Sequence, residues 1–486
     1  MDPRTPVLVG AARVTQRYDD ANRALEAVEL MMQATDAAIH DAGSPRSLER
    51  VGLVLVPKGI WSYPDPGRLV GDRFGLHGAR TVLAEVGILQ QTLLSHAAEQ
   101  IALGAIETAL VVGGEAKYRS LRAAITATVA PESVQVAEPD ELWLPADEIL
   151  AGVEIERDLA VPAHQYAVIE SALRHADGLS ATAQRDRLGQ LGASFAAVAA
   201  ADPLAWDRSA PSAATITTAS DVNRMVASPY TKLLCSQWNV DQAAALILTS
   251  VAEAERLGIA RDRWVFPLAA AGSDAMIPLS CRANLHRSPA TALAFAAALD
   301  HAGLRPSEIN HLDLYSCFPA AVQVQAHELG IGLDRSLTVN GGMTFGGGPL
   351  NNAALQAVAA MVGVLRGDPG STGLVTAVSG MLTKPAAGVW STAEPAAPFR
   401  HVDVTDAARA STPTQPLDPD GTGPAIIVGA TVLHDRGIPS RTVAVAEFAD
   451  GRRTVAVDPD PQAAAERVEL DLVGHEITIA LAGRWG

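Results

Sequence analysis

The chain carries a long internal repeat. Ala37-Ala38-Ile39-His40-Asp41-Ala42-Gly43 is followed by a strand pattern at 51–55, and Ala297-Ala298-Leu299-Asp300-His301-Ala302-Gly303 is followed by another at 311–315. The offset, taken from Gly43 to Gly303, is 260 residues. In each copy a helix pattern stops on a glycine, the residue that best supplies the left-handed turn closing a helix, and a strand pattern follows. A second helix–glycine–strand–glycine unit ends at Gly104 and Gly113 and recurs at Gly367 and Gly380. Repetition at this length is a duplicated domain, not an array of small repeats. Strands alternating with helices predict an α/β fold with largely parallel sheets and ligands at the strand carboxyl ends.

The first copy reads as strands at 6–9, 51–56, 80–86 and 108–112, with helices at 25–42 and about 89–103. Pro131, Pro139, Pro145 and Pro162 break what comes next, and two helix patterns follow at 163–173 and 182–200. Residues 117–230 therefore read as a loop and helical subdomain inserted into an N-terminal half of 1–262. A C-terminal half spans 263–396. Residues 397–421, rich in Pro, Ala, Thr and Asp, read as a linker. Strand patterns at 425–433, 442–448, 453–457 and 477–481, with a hairpin signal at Asp450-Gly451, make 422–486 a small β-rich domain.

The densest glycine cluster lies at 340–352, where Gly341, Gly342, Gly346, Gly347 and Gly348 precede the helix pattern at 353–365. Glycine lets backbone approach a ligand or another segment closely. Amides at a helix N-terminus suit an anion or a polarised carbonyl. The loop has no ionisable side chain, so it can position a substrate but cannot move a proton. No P-loop lysine follows it, and no strand–GxGxxG–helix unit is evident.

Composition narrows the function. With 37 Lys and Arg against 54 Asp and Glu, the net charge is −17, which repels nucleic acid and anionic membranes at long range. Cys235, Cys281 and Cys317 form neither a disulfide framework nor a metal-ligand spacing. The N-terminus lacks signal-peptide character, and no apolar run reaches the roughly 18 residues of a membrane span. The expectation is a cytoplasmic protein requiring no metal or resident cofactor.

The duplicated halves resemble the thiolase superfamily over roughly residues 5–395. Asn239-Val240-Asp241-Gln242-Ala243-Ala244-Ala245 is similar to the Ser-Asp-Gly-Ala-Ala-Ala strand closing that family's first half. Asn340-Gly341-Gly342 through Gly347-Gly348-Pro349-Leu350 is similar to its Asn-x-Gly-Gly…Gly-His-Pro-Leu-Gly motif. The resemblance implies a duplicated five-layered fold, and, for the type 1 thiolase-like members, an added C-terminal domain, here read as an OB-like barrel. It also implies four catalytic places. The nucleophilic Cys falls at Gly87, its activating His at Gly348, the second Cys at Val378 and the oxyanion-hole Asn at Tyr315. Neither glycine nor a backbone amide attacks a thioester, so ordinary thiolase turnover is not expected.

Cys317 points the other way. In Tyr315-Ser316-Cys317-Phe318 it occupies a place where sterol-carrier-type thiolases and thiolase-fold aldolases put a reactive Cys, although the Asp of that motif is Ser316 here. Three readings follow, the first two of them as ligand binder and as enzyme. One is a degenerate acetyl-CoA acetyltransferase-like protein of lipid metabolism that binds CoA, an acyl-CoA or a protein partner, with Gly341, Gly342, Gly347, Gly348 and Gly380 shaping the ligand site. The other is a non-standard acyltransferase or retro-aldol lyase acting on a β-keto or β-hydroxy acyl-CoA through Tyr315 and Cys317. A non-catalytic regulatory or structural subunit, as homodimer or monomer, is the third reading.

Overall fold

The computed structural model describes all 486 residues. The first half contains β1 (Pro6–Gln16), α1 (Ala27–Ala42), β2 (Val51–Pro57), α2 (Pro66–Phe74), β3 (Arg80–Ala84), α3 (Gln90–Ala102) and β4 (Thr108–Ala116). The insert carries α4 (Lys117–Ile125), β5 (Glu141–Trp143), α5 (Gly152–Glu156), α6 (Pro162–Ala176), α7 (Ala181–Ala201), α8 (Ala213–Thr217), β6 (Met225–Ala227) and β7 (Tyr230–Thr231). The chain then returns through β8 (Asp241–Ser250) and α9 (Val251–Arg256). The second half holds β9 (Phe266–Gly272), α10 (Pro289–Ala302), β10 (His311–Asp313), α11 (Pro319–Leu329), α12 (Ala353–Gly367), β11 (Thr372–Ser379) and β12 (Lys384–Ser391). Next come β13 (His401–Asp403), α13 (Thr405–Ser411), β14 (Gly423–Asp435), β15 (Ile438–Phe448), β16 (Arg453–Asp458), α14 (Pro461–Arg467) and β17 (Glu476–Ile479).

Strand pairing displays the duplication. The first sheet runs β1-β8-β4-β2-β3-β5, and the second runs β10-β11-β12-β9-β13. In both, the opening strand pairs antiparallel with the closing one, which pairs antiparallel with the fourth, which pairs parallel with the second. The strand equivalent to β3 is reduced in the second half to a single bond beside β10, Leu314 N–H to Leu337 O at 2.9 Å. Helices α3 and α12 contact strands of both sheets and share one apolar core with them. With α1 outside the first sheet and α10 outside the second, the helices and sheets stack as five layers. The glycines that close α1 and α10, Gly43 at φ 70° and Gly303 at φ 69°, both adopt the left-handed turn predicted from the repeat.

Several elements differ from expectation. β1 continues well past residue 9, because β8 offers ladder partners all the way to Gln16↔Asp241. The edge of β3 is covered by β5, with Glu85 N–H bonded to Trp143 O at 2.9 Å. The strap leading to β5 is fixed by polar contacts: Ser62 Oγ to Glu132 at 2.6 Å, Asp65 N–H to Gln135 Oε1 at 2.9 Å and Thr81 N–H to Asp140 at 2.8 Å. Covering removes an open strand edge, the usual template for edge-to-edge association.

Residues 397–421, read as a linker, contain β13, which pairs in parallel with β9, and helix α13. The C-terminal strands do not stand apart either. Their sheet, β16-β15-β14-β6-β7, takes in the hairpin from the insert. Arg157 next to α5 bonds Thr454 Oγ1 at 2.9 Å and Val455 O at 2.7 Å. One apolar core joins α6 and α7, α11 and the strands β14 to β16.

Candidate functional site

The residues expected to carry thiolase chemistry converge near the N-termini of α3 and α12, and packing fills the space between them. Gly87 lies on the turn before α3 with φ 106°. A Cβ there would stand 3.0 and 3.1 Å from Pro145, which follows β5, and 3.9 Å from Met276 Cε. A Cβ at Gly380 would meet Met276 Cγ at 2.9 Å. Met276 is buried, its amide held by Asp147 at 3.1 Å, so an apolar side chain occupies the ground between Gly87 and Gly380. Val378 is buried one strand residue before this turn.

Gly348 is closed from another side. A Cβ would fall 2.2 Å from Ser236 Oγ, and the Gly348 amide donates to Gln237 O at 2.9 Å. The same applies along the whole glycine loop. Cβ atoms at Gly341, Gly342 and Gly347 would meet Ala199 Cβ, Phe195 Cδ2 and Gln242 Oε1 at 2.4, 2.4 and 2.1 Å. The first two belong to α7, so the insert helix lies directly on the loop.

The loop's donors are used internally. The Gly341 and Gly342 amides donate to Thr338 Oγ1 at 3.1 and 3.0 Å, and the Met343 amide to Ser316 Oγ at 3.0 Å. Gly346 and Gly347 donate to Gly341 O and Gly342 O. Tethers from outside complete the seal, with Asp207 N–H to Phe345 O at 2.8 Å and Gln242 Nε2 to Gly346 O at 2.9 Å. Outward-facing amides were expected here, but the structure spends them on its own chain.

Tyr315 and Cys317 are brought close together but sit in an apolar setting. Burial pushes the Cys317 thiol up to about 12, and the Tyr166 hydroxyl lies beside it. Burial also raises the Tyr315 phenol, and its backbone is pinned by Thr376 Oγ1 and Gln325 Nε2, each at 2.8 Å. The Tyr166 ring stacks on Phe318, centroids 4.9 Å apart. Neither group is set for proton transfer at neutral pH, since a general acid or base works best with a pKa near the ambient value.

Arg282 was not singled out in the sequence. Its buried guanidinium donates to the carbonyls of Ile277 (3.1 Å), Gly380 (2.8 Å) and Met381 (2.5 Å), and burial lowers it to about 10. It holds the turn after β11, where Met381 adopts φ 47°. No periodicity or motif marks such a residue, because its partners are main-chain oxygens and two of them, Gly380 and Met381, lie nearly a hundred residues away. No group of three or more His, Cys, Asp or Glu side chains is arranged to hold a metal ion.

No family model and no curated protein matches this sequence. Among solved structures, the chain is similar along its length to a monomeric SCP2-thiolase like protein type 1 from Mycobacterium smegmatis. The TM-score is 0.85 at 27% identity, covering 100% of this chain and 99% of that one. Human mitochondrial 3-ketoacyl-CoA thiolase matches 80% of this chain and 99% of its own, with TM-score 0.60 and 17% identity. An Ltp2-ChsH2(DUF35) aldolase matches 80% and 98%, with TM-score 0.59 and 19% identity. The last two likenesses speak for the fold alone.

Proposed function

Because this chain belongs to the thiolase superfamily by fold, we infer that it is a thiolase-like protein that binds CoA or an acyl-CoA without ordinary thiolase turnover. One observation carries the second half of this reading. Met276 and Pro145 pack against the place where a nucleophile would stand, and that place is a glycine with φ 106°. Covalent acyl transfer needs an activated nucleophile within reach of the thioester carbonyl, and no such group faces Gly87. The binding half rests on the shared fold. The C-terminal sheet, read as an OB-like module, serves in this account to brace the insert that closes the old site, and the protein works in the cytoplasm as a monomer.

The lyase reading through Tyr315 and Cys317 has weaker support, since burial holds both groups protonated. Calorimetry with CoA and acetoacetyl-CoA, run beside a thiolysis assay, tests the proposal. Heat of binding without CoA-dependent cleavage is expected. Cleavage above the blank rate would overturn the claim of no turnover, and absence of heat with both ligands would overturn the claim of binding.

A further inference from the structure

Exposed apolar side chains concentrate on the strap that crosses the edge of the first sheet. Within it, the Gln135 side chain is turned inward and bonds the main chain of Asp65 at 2.6 and 2.9 Å. Its neighbours point the other way, as alternate residues of an extended chain do, leaving Val134 94% and Val136 90% exposed. The alternation continues through β5. Trp143 is turned in, its ring 5.0 Å from that of His96, while Leu142 and Leu144 lie in solvent. Single exposed apolar residues are ordinary, but four on one segment form a patch of the kind that marks protein contacts.

The main chain of this segment is equally free. β5 closes the edge of β3 but is itself the last strand of the sheet. The Trp143 carbonyl is spent on the Glu85 amide at 2.9 Å, so the flanking Leu142 and Leu144 direct theirs to the open side. The amides of residues 134–138 meet no main-chain acceptor. Such an edge can take a further strand, whose main chain supplies affinity and whose alternate side chains supply specificity.

Charge selects the occupant. Residues 123–156 contain eight acids and no Lys, Arg or His. Asp140, Glu141 and Asp147 are matched by Arg68, Arg80 and Arg409, whereas Glu138 and Glu148, on either side of β5, belong to no ion pair. A second copy of the chain would bring two acidic straps together, and like charges across a strand pair destabilise it. An anionic membrane is repelled at long range. A basic strand is attracted.

We propose that this face docks an extended basic segment of a partner protein, added to β5 as the next strand of the first sheet. Its apolar side chains meet the exposed valines and leucines, and its Lys or Arg side chains meet Glu138 and Glu148. The assignment is independent of CoA binding, since it concerns the outer edge of the strap that sets Pro145 against Gly87.

A fluorescein-labelled peptide, Lys-Val-Lys-Ile-Arg-Val-Lys-Val, titrated with the purified full chain and read by anisotropy, tests it. Binding should be roughly tenfold or more tighter than for a version with Glu in place of Lys and Arg, where like charges meet. A version N-methylated at alternate residues should lose about as much, because it cannot complete the ladder bonds. Affinity should fall as salt rises. Val134→Lys with Leu142→Lys, both on the surface and so close to neutral for folding, should weaken binding roughly tenfold. Hydrogen exchange of residues 134–144 should slow when the peptide is bound. No binding of the basic peptide, equal binding of the Glu version, indifference to the two substitutions, or slowed exchange elsewhere instead would overturn the assignment. Sedimentation of the wild type as a dimer that the double variant dissolves would overturn it in favour of a second copy.

Discussion

Replacing Gly348 with alanine asks whether the glycine loop is built for close packing. The backbone of Gly348 is outside the left-handed region, so alanine suits its conformation. On that account the change should stabilise by about 0.4–1 kcal/mol, through reduced freedom of the unfolded chain. Against this, the new methyl would stand 2.2 Å from Ser236 Oγ and 3.2 Å from Met343 O. Forcing a carbon into a filled site costs about 1–3 kcal/mol. The clash wins, for a net loss of about 1–2 kcal/mol. Ser236→Ala removes the nearest atom and leaves the 3.2 and 3.3 Å contacts to Met343 O and Cβ, each a few tenths of an ångström tight. In that background Gly348→Ala should be close to neutral, giving a coupling of about 1–2 kcal/mol, typical of residues in contact. Urea denaturation of the wild type, both single variants and the double variant measures it, with fluorescence and circular dichroism as paired probes of cooperativity. A neutral Gly348→Ala, or a coupling under about 0.5 kcal/mol, would refute the packing argument.

Other substitutions probe the same architecture. Burial raises the Glu115 carboxyl from 4.5 to about 7. Its folded value exceeds its unfolded one, so the stability it contributes is present at low pH and is lost as pH rises through this window. Glu115→Gln should be near neutral at pH 5 and stabilising at pH 8 in thermal denaturation, and the reverse trend would contradict the burial. Asp241 and Asp313, each pushed to about 6 by burial, should tilt the wild-type profile the same way. Cys317, with its thiol raised to about 12, should react with iodoacetamide at pH 7.5 roughly a thousandfold more slowly than a free thiol of about 8.5. Rapid native labelling at that residue would count against its buried setting. Arg282→Met strands the Ile277 and Met381 carbonyls, while Gly380 O keeps its bonds from Thr383; it should cost about 2–5 kcal/mol, and a change under about 1 kcal/mol in denaturation would disprove its bracing role.

The duplicated fold was legible because its signals are local. A helix closed by Gly43 and another closed by Gly303 announce themselves within a few residues, and so does the Ala-rich run of β8. The covering of the site was not legible. The strap that sets Pro145 over Gly87 is held by Glu132, Gln135 and Asp140, polar residues that read as ordinary solvated loop. Glycines at 341 and 342 suggest a close approach without saying by what, and the partner proves to be α7, more than 140 residues earlier in the chain. The linker reading of 397–421 failed at β13 for a related reason: composition reports low hydrophobicity, while a three-residue edge strand needs only a free neighbour in β9.

The sharing of one sheet between insert and C-terminus also sets a timetable for biosynthesis. Ser228, beside the β6–β7 hairpin, meets His434 of β14, which is translated 206 residues later. At 5–20 residues per second, the insert waits roughly 10–40 s on the ribosome with the apolar faces of α6 and the hairpin lacking their final partner. During that interval the nascent chain exposes apolar surface and unpaired strand edges, the features that make partly folded species prone to aggregate. A stop codon placed just after the second half would release a polypeptide whose repeated core is complete but whose insert cannot be.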